Sequence, residues 1–174
     1  MIKQQNIAEG NHISVIIFEV GGEEFAIDLL DVKEIIQSGQ IRTLPKCDDF
    51  IEGIYNYRGN IIHIINLKKK LNIKKYNLHR TTSKDLEDET IPQNFIIIVN
   101  ISGINFGFLV DRIINVAHID EKDLEGLSPI FQTSIGVEYI KGIVKFKDRP
   151  RILVNLNKVL SESEQITIKN ELKQ

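Results

Sequence analysis

The side chains best suited to metal binding or nucleophilic chemistry are few and scattered: His12, His63, His79 and His118, with Cys47 as the single cysteine. A zinc site needs ligands brought together by short, regular spacings, and neither HExxH nor any comparable pattern occurs. One cysteine can form neither an internal disulfide nor a Cys-based zinc centre. His63, inside "IIHII", reads as a satisfied or edge-strand histidine rather than a ligand. Gly21-Gly22 and Gly103 lie in polar turns, not between a strand and a helix, so they build no phosphate-cradling loop. Asp28, Asp31 and Glu34 would share one solvated face if their segment were helical. The lysines at 68–70, with Lys74 and Lys75, could meet phosphates, but the acidic "KDLEDE" lies nearby and no aromatic platform is interleaved. No nucleophile–base–acid set stands out, so the sequence predicts no catalysis, no cofactor and no metal.

The one other feature of chemical interest is "NYRG" (56–59), which interrupts two apolar runs with an arginine beside a glycine. Asn56 and Gly59 are turn formers, so a tight hairpin accounts for both. Arg58 is then either a solvated tip or a contact.

The elements that would position these residues belong to an ordinary globular chain. With 174 residues, 42% of them hydrophobic, it is long enough to bury about two-thirds of its unfolded surface. Lys and Arg number 22 against 24 Asp and Glu, a net charge of −2 with no general attraction to polyanions. The start, "MIKQQNIAEG", has no signal-peptide apolar core, and no apolar run approaches the roughly 20 residues that span a bilayer. A cytoplasmic protein without membrane insertion is expected.

Short Ile/Val-rich segments at 12–20, 60–67, 94–101, 139–146 and 151–156, bounded by Gly, Pro, Asn or Asp, read as strands. At 28–36, Leu29, Val32, Ile35 and Ile36 have helical spacing, although the β-branched residues leave a strand open. Ser161 followed by Glu164 forms a capping box that opens a C-terminal helix carrying Ile168 and Leu172 within 161–174. The polar stretch 78–93 reads as a loop or linker between two richer halves.

Those halves match each other. Shifted by 89 positions, residues 50–71 lie on 139–160 without a gap and with seven identities, Gly53 on Gly142 and Asn66 on Asn155 among them. Arg58 then falls on Lys147, in a matching tip "KFKD" (145–148). Shifted by 81, residues 15–27 lie on 96–108 in the same order along the chain. The expectation is a duplicated, mainly β unit, two small barrels packed together.

In order, Gly-x-x-Phe-Ala-Ile-Asp (22–28), "VKEII" (32–36), "IRTLP" (41–45), "FIEGIYNYRG" (50–59), "FGFLVDRI" (106–113) and "EYIKG" (138–142) resemble the CheW-like domain from about Ile13 to Leu160. The resemblance implies two pseudo-repeated five-stranded SH3-like β-barrels over 13–160. The halves run roughly 13–77 and 94–160, with strand exchange between them. It implies no catalytic activity and an adaptor that couples chemoreceptors to the histidine kinase CheA. It places Val32, Glu34, Gly53 and Arg58 at receptor docking. Ile41, Arg42 and Leu44, with Phe131 in the second half, fall at contacts with the kinase's regulatory domain. An exposed Phe131 is expected. Tyr57, His63 and Asn66 depart from the usual Leu, Pro and Asp, and the first could alter the partner surface. The rival that the residues leave open is a nucleic-acid-binding β-barrel of OB or SH3-like type, which would need stacking aromatics on one face.

Overall fold

The computed structural model describes residues 10–73, 94–128 and 135–171. The linker stretch 78–93, Phe131 and Leu172 lie outside them. In chain order the strands are β1 (His12–Val20), β2 (Glu23–Asp28), β3 (Glu34–Gln37), β4 (Ile51–Tyr57) and β5 (Asn60–Asn66). They are followed by β6 (Phe95–Ile101), β7 (Ile104–Val110), β8 (Arg112–Asp120), β9 (Leu124–Glu125), β10 (Ile140–Val144) and β11 (Arg151–Val154). A single α-helical turn, α1 (Leu67–Lys70), follows β5, and α2 (Glu162–Glu171) ends the described chain. The protein is mainly β, and every strand segment read from the sequence is present.

Two sheets form, in the orders β8-β1-β2-β11-β10-β9 and β3-β6-β7-β5-β4. Each takes its central hairpin from one half of the chain and its remaining strands from the other. The two orders are the same apart from the sixth strand. Even that has a counterpart: β9 places Glu125 opposite Ile143, while Arg42 makes an isolated bridge to Ile54, the residue that aligns with Ile143. The ladders are open, so the expected barrels are not closed by backbone hydrogen bonds.

Residues on alternate sides of a strand explain the core. Ile16, Phe18, Phe25 and Ile27 enter a large cluster shared by both sheets, together with Ile97, Val99, Phe106 and Phe108. Val15, Ile17 and Ala26 face the other way into a smaller cluster, and Ile96, Ile98, Ile62 and Ile64 do the same in the second sheet. Both faces of the central strands are therefore buried. That is why "VIIF" and "IIIV" read as unbroken apolar runs rather than alternating ones. Each fully buried Phe of the shared core contributes about 1.5–3 kcal/mol of transfer free energy.

The structure decides three open readings. The segment 28–36 is not a helix: Asp28 caps a short 3-10 turn at Leu29–Asp31, accepting from the Leu30 N–H at 2.9 Å, and the chain then enters β3. The open edge of β6 offers partners to β-branched Val32, Ile35 and Ile36, and the Lys33 N–H already donates to the Ile98 carbonyl at 2.8 Å. Asp28, Asp31 and Glu34 consequently share no helix face. The "KFKD" segment is not a tight tip, because β10 ends at Val144 and β11 begins at Arg151. His63 is not on an edge, since β5 lies between β7 and β4, and it is buried at 1% exposure.

The C-terminal helix starts as the sequence indicates. The Ser161 hydroxyl accepts from the Glu164 N–H at 3.2 Å while Glu164 accepts from the Ser161 N–H at 2.9 Å. No helix among the described residues is long and apolar enough to cross a membrane.

Candidate docking site

The turn between β4 and β5 consists of Arg58 and Gly59, closed by the Tyr57–Asn60 pair. Both have positive φ, 50° and 82°, the pattern of a two-residue type I′ turn. Asn56 supports it by accepting the Gly59 N–H at 3.0 Å. Gly59 suits that geometry, whereas an arginine in the left-handed region costs about 1–2 kcal/mol. A strained side chain at an exposed tip invites a functional reading.

Glu34, at the start of β3, meets this tip. Its carboxylate accepts a hydrogen bond from the Tyr57 hydroxyl and lies 3.0 Å from Arg58 Nη2. Arg58 also stands over the Tyr57 ring, 5.3 Å from its centroid. The Tyr57 bond above all, and then the Arg58 charge, hold the Glu34 carboxyl below the usual carboxylate range. The same bond raises the Tyr57 phenol. Because β3 and β4 are the two edges of their sheet, these side chains join edges that the backbone leaves apart. Tyr57 is buried, yet the Arg58 side chain stays 71% exposed, free to meet a partner.

Val32 is half-buried against the shared core and lines a cleft of about 360 Å³ with Leu30, Asp31, Lys33, Asn100 and Asn157. Leu30 is 92% exposed, the most solvent-facing large apolar side chain among the described residues. Along β4, Ile41 and Arg42 line a second cleft of about 560 Å³ with Tyr55, Asn56 and Ile61. Ile41 packs on the small cluster beneath, and Arg42 is exposed while its N–H and carbonyl bond Ile54 at 3.0 and 2.8 Å. Leu44 is half-buried, its carbonyl accepting from the Cys47 thiol at 3.3 Å.

Gly53 is buried and presents no side chain to a partner. A Cβ there would stand 2.2 Å from the Arg42 carbonyl oxygen, at φ +154°. Its importance is that it lets the Arg42 strand approach β4 at a bulge, and Gly142 does the same against Glu125 in the second half. Glu34 and Arg58 are thus brought together, Val32 lies just before Glu34 in the chain, and Ile41 and Arg42 sit along β4, the strand that carries Arg58 at its end. Sequence reasoning noted Tyr57 only as a departure. The signal was a hydroxyl at a hairpin tip, with no way to know that β3 would face it. Leu30 was missed because an apolar residue in a presumed helix looks like core.

Two lysines of the basic run have acidic partners within the chain: Lys69 lies 3.7 Å from Asp49 and Lys70 lies 2.7 Å from Glu164. Lys74 and Lys75 are outside the described residues. Among the described residues no group of three His, Cys, Asp or Glu side chains could hold a metal.

A family model of the CheW-like domain matches residues 14–164. The chain is 31% identical to the chemotaxis protein CheW of Treponema pallidum over 150 residues, covering 86% of this chain and 83% of that one. It is likewise 31% identical to the CheW of Thermotoga maritima, over 89% and 90% of the two chains. Among solved structures it resembles the scaffolding protein TtCheW from Thermoanaerobacter tengcongensis, with a TM-score of 0.71, 33% identity and coverage of 91% and 94%.

Proposed function

The chain belongs to the CheW-like domain family and is a chemotaxis adaptor, and from that premise we propose that it joins a chemoreceptor tip to the regulatory domain of a CheA-type kinase through two neighbouring surfaces of one small sheet that share β4. The observation that carries this reading is the strained, exposed Arg58, oriented by Glu34 and Tyr57. A guanidinium so placed can take a carboxylate from a receptor helix. Leu30 and the cleft beside Val32 supply apolar contact for the same helix. Ile41, Arg42 and Leu44 form the kinase face, held against β4 through the close approach at Gly53. Phe131 belongs to a second kinase contact from the other half.

Signal transfer follows from the shared strand. Glu34 ties β3 to Tyr57 and Arg58 at the end of β4, and Arg42 rests on Ile54 in the middle of β4. A receptor that shifts the tip therefore acts on the strand that the kinase segment leans on. No cofactor is involved, and the setting is the cytoplasm.

The reading is tested by reconstitution. Kinase autophosphorylation is measured with receptor cytoplasmic fragments, CheA and this chain in all combinations. Activation should require the chain. A chain that leaves kinase activity unchanged while binding single-stranded oligonucleotides in a salt-sensitive manner would favour the β-barrel nucleic-acid binder instead.

A further inference from the structure

The duplication shows which residue of the first half is out of place. At the shift of 89, Lys70 falls on Val159 and Phe50 on Tyr139. Val159 is fully buried in the shared core, with 0% exposure. Lys70 occupies the matching position with its side chain only 10% exposed. A cation so nearly buried requires a partner. That partner is Glu164 of α2, whose Oε1 lies 2.7 Å from Lys70 Nζ while its Oε2 accepts the Ser161 N–H. One carboxylate therefore both starts the helix and pins it to α1. Partial burial disfavours its charge, but the bonds from Lys70 and Ser161 outweigh this and leave the carboxyl below its ordinary pKa. Ile168, buried at 2%, anchors the same helix in the core.

Lys70 reaches further. Its Nζ stands 4.3 Å from the centroid of the Phe50 ring. The Phe50 carbonyl accepts the Asn66 N–H at 2.7 Å, and the Ile51 N–H donates to the Asp48 carbonyl at 3.0 Å. Lys69 pairs with Asp49, and the Cys47 thiol donates to the Leu44 carbonyl. These contacts run from α2 into the segment that carries Ile41, Arg42 and Leu44.

We propose that α2 is a strap that acts through Glu164 and Lys70 to seat Phe50, and so positions residues 41–50 for the kinase contact. Lys70 and Glu164 are positioning residues and touch no kinase. An apolar side chain would fill the space as Val159 does in the second half, but a buried ion pair also fixes where the helix docks. The kinase part of the proposal rests on the function proposed above, whereas the strap itself does not.

Hydrogen exchange in the full-length chain tests it, read at the amides of Ile51 and Asn66 against Ile97 in β6. In Glu164→Gln and in Lys70→Gln, exchange at the first two should rise about tenfold or more while Ile97 keeps its protection. Lys70→Arg retains a cation for both Glu164 and Phe50 and should keep wild-type rates. Calorimetry with a kinase regulatory domain should show affinity falling in the two Gln variants and retained in Lys70→Arg. Lys70→Gln leaves no buried cation, so it remains informative if Glu164→Gln fails to fold. Equal acceleration at all three amides, no acceleration, or local opening with unaltered kinase affinity would each overturn the proposal. If wild type binds no kinase domain, the functional reading falls, and the exchange pattern still decides the strap.

Discussion

Glu34 accepts a hydrogen bond from the Tyr57 hydroxyl and faces the Arg58 guanidinium, and both lower the pH at which it protonates. Its folded pKa lies below the unfolded value. The tie is therefore fully present above the unfolded carboxylate's pKa and is lost as pH falls through the folded one. A titration of Glu34 followed by NMR should move toward the ordinary carboxylate range in Tyr57→Phe, and by less in Arg58→Asn. The reverse order would mean that the ion pair, not the phenol, governs this carboxylate. Arg58→Asn also removes a left-handed arginine in favour of a residue that tolerates that backbone. It should melt within about 2 °C of wild type, or above it, because surface changes have small effects. It should nevertheless lose receptor-dependent kinase activation. A much lower melting temperature would instead make Arg58 a structural tie between sheet edges.

The bulges at Gly53 and Gly142 set the next scale, that of strands. Gly53→Ala must place a methyl group against the Arg42 carbonyl at a φ that other residues avoid, and should cost about 2 kcal/mol or more in denaturant unfolding. Gly142→Ala meets the Glu125 carbonyl at 2.8 Å without a positive φ and should cost less. Equal costs would show that neither the closer contact at Gly53 nor its dihedral governs the loss. Both glycines were visible in the sequence as matching positions of the repeat, but their purpose was not, since the carbonyls they admit come from chain 11 and 17 residues away. The same limit explains β3. Local spacing around Leu29, Val32 and Ile35 fits a helix, and only the open edge of β6, more than 50 residues further on, decides for a strand. The capping box at Ser161 was legible because all its partners lie within one turn.

In the whole molecule the duplication could be read directly, through two ungapped alignments and the order of their blocks. The exchange of hairpins between sheets could not be deduced from those alignments, because an identical repeat could pair within its own half. The candidate docking site shows the same division. Arg58 was identifiable at its tip, and Glu34 through family likeness. Their contact depends on a sheet whose edges are brought together by side chains. In the proposed arrangement one sheet serves two partners, with the receptor at the β3 side and the β4–β5 tip, and the kinase along the middle of β4. The most direct test is calorimetry of wild type, Arg58→Asn and Leu44→Asp with a receptor tip fragment and, separately, with a CheA regulatory domain. Arg58→Asn should lose receptor affinity and keep the kinase, and Leu44→Asp, which sets a charge against an apolar partner surface, should do the opposite. Loss of the same partner in both folded variants, or undiminished binding in both, would contradict it.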